Sequence, residues 1–257
     1  MIDIASAVPR YRLDGPTHAP LLLLANSLGT RLELWEGQMP ELTRHFHVLR
    51  YDLRGHGPSA LGLSTFGLER LGQDVIALLD GLQVPRVHFC GLSLGGAIGA
   101  WLGAHAPERL DRLVLCNTAA TFGRRSAWDA RIEAVAKGGM AAITPTVIAR
   151  WFTPEFRERE PDAVEVVQRM LLANDPDGYM SACAAVRDID QRTSVAEVRA
   201  PTLVVAGACD RVTPPSEARW LAQQIAGARY VELAAAHLSN IEARAPFNAE
   251  LLDFLRG

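Results

Sequence analysis

The stretch Gly91-Leu92-Ser93-Leu94-Gly95-Gly96 decides the reading of this chain. It follows Arg86-Val87-His88-Phe89-Cys90, which reads as a buried strand, and precedes Ala97-Ile98-Gly99-Ala100-Trp101-Leu102, which reads as a buried helix. Gly-x-Ser-x-Gly alone is common, and a serine in a glycine-rich turn is its plainest reading. A strand before it and a helix after it give the pattern its chemical meaning. The sharp turn forces the serine into a strained backbone conformation, so its hydroxyl stands clear of the sheet. Gly91 and Gly95 leave room where side chains would collide with the turn. The N–H of Leu94, at the start of the helix, is directed toward the place where an oxyanion would form.

Working outward, short apolar runs alternate with helical patterns. Pro20–Ala25, Phe46–Tyr51, Arg86–Cys90, Arg112–Cys116, Pro201–Ala206 and Ala228–Leu233 read as strands, and Val8–Leu13 alternates weakly enough to be an edge strand. Helical spacing appears in Leu68, Leu71, Val75, Ile76, Leu78 and Leu79, in Trp220, Leu221 and Ile225, and in Phe247, Leu251, Leu252, Phe254 and Leu255. Runs apolar on both faces, separated by helices, predict an α/β fold with a mostly parallel sheet covered on both sides. Residues 120–195 break the rhythm. They contain helical patterns with turns at Gly138-Gly139, Thr153-Pro154, Glu160-Pro161 and Asp175-Pro176-Asp177-Gly178, and read as a helical cap inserted into a core of residues 1–119 and 196–257.

Composition bounds the function. The 257 residues are 49% hydrophobic with a net charge of −3, which suits one large globular unit and offers no electrostatic footprint for nucleic acid. The apolar run Pro20–Ala25 is far too short to span a bilayer. Met1-Ile2-Asp3-Ile4 lacks a basic region followed by an apolar core, so no secretory signal is expected and the chain reads as cytoplasmic. Cys90, Cys116, Cys183 and Cys209 show no C-x-x-C spacing and are expected to be reduced, buried thiols rather than disulfides or metal ligands.

In an open parallel sheet, ligands bind at the carboxyl ends of the strands. Four such ends carry the groups that acyl transfer requires. Ser93 is one. Asn26-Ser27-Leu28-Gly29-Thr30 follows Pro20–Ala25 and can aim the N–H of Leu28 at the same spot as that of Leu94, although an ordinary strand-to-helix turn would look the same. Asp210 follows Pro201–Ala206 and can orient an imidazole, or simply cap a turn. Asp188 and Asp190 are rivals at the end of the helical block. His237 follows the last strand, in the order serine, acid, histidine that suits this fold. His56, in Arg54-Gly55-His56-Gly57, is the rival, and its place before the serine fits a residue that braces a loop.

On these residues the chain resembles the α/β-hydrolase superfamily over essentially its whole length. Within it the chain is most similar to the 3-oxoadipate enol-lactonases of the β-ketoadipate pathway. Asn26-Ser27-Leu28-Gly29-Thr30 stands where many relatives have His-Gly, with Leu34-Trp35 downstream, and Ala236-His237-Leu238-Ser239-Asn240-Ile241-Glu242 adds to the likeness. The resemblance implies hydrolysis of the enol-lactone ring of a small carboxylate-bearing substrate. Ser93 would be the nucleophile, His237 the base, Asp210 its partner, and the N–H groups of Leu28 and Leu94 the oxyanion hole. No cofactor and no metal are implied. The cap would recognise the substrate carboxylate, with Arg124, Arg125 and Arg131 as candidate cations and Trp128 as an apolar wall or N–H donor; Arg131 and Trp128 are the leading pair. A carboxylesterase, a carbon–carbon bond hydrolase and a hydrolase-like ligand receptor are the alternatives.

Overall fold

The computed structural model describes residues 9–57 and 65–257. The expectation about the first four residues, and Val8 of the edge strand, lie outside the described residues. Seven strands form one sheet: β1 (Tyr11–Asp14), β2 (Leu21–Ala25), β3 (His47–Tyr51), β4 (Val87–Leu92), β5 (Leu110–Cys116), β6 (Thr202–Gly207) and β7 (Arg229–Leu233). Their order is β1-β3-β2-β4-β5-β6-β7. Only the pairing of β1 with β3 is antiparallel. All six residues of β6 and five of the six in β4 are buried, which is why these strands are apolar on both faces.

The described helices are α1 (Met39–Leu42), α2 (Leu68–Gly81), α3 (Leu94–His105), α4 (Arg125–Gly138), α5 (Thr144–Trp151), α6 (Pro154–Arg159), α7 (Pro161–Leu172), α8 (Pro176–Arg187), α9 (Pro215–Gln224), α10 (Ser239–Glu242) and α11 (Arg244–Arg256). Helix α3 packs on β4 and β5, and α9 on β6 and β7. Helices α4 to α8 all fall between β5 and β6, where the helical block is expected. Prolines at the first turns of α5, α6, α7 and α8 start these helices, since proline lacks only an N–H that has no partner there. The side chain of Thr153 caps α6 by accepting the N–H of Phe156, and Asp175 caps α8 by accepting that of Gly178.

Chain direction across the sheet reverses between β2 and β4. From β2 the chain steps outward to β3, then returns to β4 and continues the other way to β7. The loops after β2 and β4 therefore diverge at their carboxyl ends and open a crevice between them. The segment after β2 contains Leu28, and the residue after β4 is Ser93.

Candidate active site

Ser93 sits at φ 57°, ψ −114°, between the end of β4 and the first turn of α3. A non-glycine residue in this region is strained and is held there by its surroundings. The holding bonds are visible. The Ser93 N–H donates to the Cys116 carbonyl at 2.8 Å, and the Ser93 carbonyl accepts from the Thr118 hydroxyl at 2.7 Å. A Cβ on Gly91 would meet the Gly95 carbonyl oxygen at 2.1 Å, and one on Gly95 would meet the Ala25 carbonyl oxygen at 2.3 Å. Glycine is thus required at position 91 by the first turn of α3 and at position 95 by the end of β2.

His237 and Asp210 form a buried pair. The ring Nδ1 lies 2.8 Å from Asp210 Oδ2, with both side chains essentially inaccessible to solvent. Asp210 Oδ1 accepts the N–H groups of Val212 at 2.7 Å and Thr213 at 3.1 Å, while Oδ2 also accepts from the Thr213 hydroxyl at 2.9 Å and the Asn117 amide at 3.1 Å. Burial pushes the Asp210 carboxyl up, but the adjacent imidazole and these donors outweigh it, and the group ends below the usual carboxylate range. The loops that carry the pair are joined through their backbones, with Cys209 N–H on the Ala235 carbonyl at 2.9 Å.

Ser93, His237, Leu28 and Leu94 line one small cavity, together with Ser27, Phe122, Trp128, Arg131, Trp151, Val186 and Val212. The core contributes the polar end and the helical block the roof. Trp128 is a wall: its indole N–H donates to the Phe122 carbonyl and is not directed at a ligand. Arg131 lies over the Trp128 ring with its guanidinium carbon 4.6 Å from the ring centroid. Of the three arginines named from sequence, Arg131 reaches the cavity, whereas Arg125 pairs with Asp188 on the exposed surface. Asp188 also pairs with Arg187, and Asp190 with Arg192, so neither rival stands beside His237. Among the described residues no cluster of three or more His, Cys, Asp or Glu side chains could hold a metal ion.

His56 braces a loop, as expected. Its Nε2 accepts the Gly29 N–H at 2.7 Å, next to Leu28, and the Asn174 amide donates to the Gly29 carbonyl at 2.8 Å from the helical block. Glu242 was read in the sequence only as part of a motif. Its carboxylate accepts the Ala236 N–H at 2.9 Å and, on its other oxygen, the hydroxyl and N–H of Thr153. Asn117 and Thr213 were not singled out at all. Asn117 directly follows β5, so the strand-end argument that singled out Ser93 and Asp210 applies to it equally. Cys209 is a correction: it is exposed, unlike Cys90, Cys116 and Cys183. Its backbone is turned inward onto Ala235, which leaves the thiol facing solvent.

Residues 20–243 match the family model described as alpha/beta hydrolase fold. The chain is 40% identical to 3-oxoadipate enol-lactonase 2 of Acinetobacter baylyi, over 93% of this chain and 89% of that one. The crystal structure of the enol-lactonase from Burkholderia xenovorans LB400 superposes with a TM-score of 0.95 at 43% identity, covering 96% of each chain. That of a hydrolase from Pseudomonas aeruginosa PA01 gives 0.93 at 49% identity, covering 96% of this chain and 94% of that one.

Proposed function

Because the chain belongs to the alpha/beta hydrolase family, we propose that Ser93, His237 and Asp210 form a catalytic triad that hydrolyses 3-oxoadipate enol-lactone to 3-oxoadipate in the catabolism of aromatic compounds. The observation that carries this reading is the buried His237–Asp210 pair facing the same cavity as a strained Ser93, at the point where the strand order reverses. In this reading residues 1–119 and 196–257 are the hydrolase core and residues 120–195 the cap. The enzyme is cytoplasmic and its partner is a small anionic lactone. Among the described residues no helix is long and apolar enough to cross a membrane.

The chemistry follows from the arrangement. His237, held by Asp210, takes the Ser93 proton as Oγ attacks the lactone carbonyl. The carbonyl oxygen gains negative charge and is received by the N–H groups of Leu28 and Leu94, each such donor being worth ~10²–10³ in rate. Collapse breaks the ring C–O bond and expels the enolate oxygen, which takes the proton from His237. Both halves stay on the enzyme, because the enol remains joined to the acyl group. Water then gives a proton to His237 and attacks the acyl carbonyl. Ser93 leaves with that proton, and the released enol ketonises. Arg131 holds the substrate carboxylate against the Trp128 wall.

The test is a panel of the enol-lactone, other lactones and p-nitrophenyl esters, run on wild type and on Ser93→Ala. Wild type is expected to prefer the enol-lactone, and Ser93→Ala to stay folded with kcat reduced by roughly 10⁴ or more. Fast turnover confined to another ester would replace the substrate. A folded Ser93→Ala protein with near-normal activity would remove the mechanism, and tight binding without turnover of any substrate would indicate a receptor.

A further inference from the structure

Asn117 is fully buried and holds a φ of 46°, in the left-handed region that costs a non-glycine residue energy. Its backbone N–H donates to Val205 on β6 at 2.8 Å. Its amide nitrogen donates to Asp210 Oδ2 and to the Ala236 carbonyl, both at 3.1 Å, and its amide oxygen accepts from the Ser239 hydroxyl at 2.5 Å. A carboxylate and a backbone carbonyl can only accept, so the orientation of the amide is fixed. Asp210 follows β6, and Ala236 and Ser239 flank His237. One side chain at the end of β5 therefore ties together the two loops that carry the acid and the imidazole.

We propose that Asn117, oriented by Ser239, is a positioning residue that sets the geometry and charge of the Asp210–His237 pair for proton transfer. The inference rests on the triad reading above and adds a component to it. Asp210 Oδ2 serves His237, Thr213 and Asn117 at once. Each donor draws charge from the oxygen that must stabilise the imidazolium. Asn117 thus holds the carboxylate in line and limits how firmly it grips a protonated ring. The other charged groups around the pair are Glu242, bonded to the Ala236 N–H, Arg150, whose charge interacts with Asp210, and Arg131 in the cavity wall. The proposed substitutions leave all three in place.

Asn117→Gly removes the side chain while tolerating the positive φ, and Ser239→Ala removes only the donor that orients the amide. Both are assayed as the full chain with p-nitrophenyl acetate, beside Ser93→Ala and with thermal unfolding recorded. Asn117→Gly is expected to lower kcat roughly tenfold to hundredfold with KM within about threefold. The acid limb of kcat/KM moves upward, because the freed carboxylate oxygen stabilises the imidazolium more strongly. Ser239→Ala moves both quantities in the same direction by less, and it carries the test if Asn117→Gly does not fold. Wild-type kinetics in the folded variants, or a loss of rate that only tracks the unfolded fraction with the acid limb unmoved, overturns the inference. If Ser93→Ala still turns over the ester, the triad reading fails and this inference with it. An inactive Ser93→Ala beside an unchanged Asn117→Gly sinks the inference alone.

Discussion

His56 gives the chain a defined acid sensitivity. The ring is fully buried, Nε2 accepts the Gly29 N–H at 2.7 Å, and Nδ1 faces the Arg54 carbonyl at 3.2 Å. One partner can only donate and the other only accept, so the neutral ring protonated at Nδ1 is the form that fits. Burial drives its pKa down, the Arg54 carbonyl partly restores it, Arg31 lowers it further, and the ring ends at about 4 against an ordinary 6.5. As pH falls, the unfolded chain takes this proton first. The stabilisation is complete above the ordinary imidazole value and is lost as pH falls from there to about 4. That shift corresponds to about 3 kcal/mol, a large share of a typical domain's stability. The replacement His56→Gln keeps an acceptor and a donor but cannot titrate. Urea unfolding at fixed salt, stepped between about pH 7.5 and pH 4, should show wild type losing about 3 kcal/mol more than the variant. His88, which burial also pushes down, and Asp210 titrate in both proteins, so the difference isolates His56. Parallel stability curves refute the reasoning, as does a His56 ring signal that titrates at the ordinary imidazole value.

Two further outcomes follow from the cavity and its loops. Arg131→Ala should raise KM for the anionic enol-lactone by roughly tenfold to hundredfold and lower kcat as well, while hydrolysis of neutral p-nitrophenyl acetate changes little; equal losses on both substrates would make Arg131 a structural residue of the cap. Glu242→Gln must turn an amide N–H toward one of the donors that the carboxylate now accepts, from Ala236 or Thr153, and should cost about 1–3 kcal/mol in urea unfolding. Because Ala236 precedes His237, kcat should fall with KM nearly constant, and a variant with wild-type stability and kcat would show that the link is unimportant.

The sheet was legible because its central strands are buried on both faces and therefore stand out as apolar runs. Their limits were less so. Strand β4 continues through Gly91 and Leu92, and β5 begins at Leu110, since backbone pairing with β2 and β5 outlasts the apolar pattern. Ser93, Asp210 and His237 were singled out because the carboxyl ends of parallel strands are where chemistry collects, and the structure brings Asp210 and His237 together and sets Ser93 on the same cavity. Asn117 lay at the same kind of position and was passed over, because an amide carries no titrating group to attract notice. The roof was legible only in part. Trp128 and Arg131 were named and both line the cavity, but amphipathic spacing predicts a helix and its buried face and not its partner, so Trp151 was missed and Arg125, which turns to Asp188, was offered beside them.

The helical block does more than cover the site. Asn174 donates to the Gly29 carbonyl from above while His56 accepts the Gly29 N–H from below, so the segment holding Leu28 is gripped from both sides. On the opposite wall the Leu238 N–H donates to the Trp151 carbonyl at 3.1 Å, and Glu242 joins Thr153 to Ala236. The residues on either side of His237 are therefore bonded to the same helical block that supports the candidate oxyanion loop. As it stands the cavity beside Ser93 is tight, so a substrate must widen it to enter. If the block shifts to admit it, both loops feel the shift through these bonds. Substitutions at Asn174 or Thr153 should then alter kcat although neither residue lines the cavity, whereas a roof that only selects substrate would change KM alone.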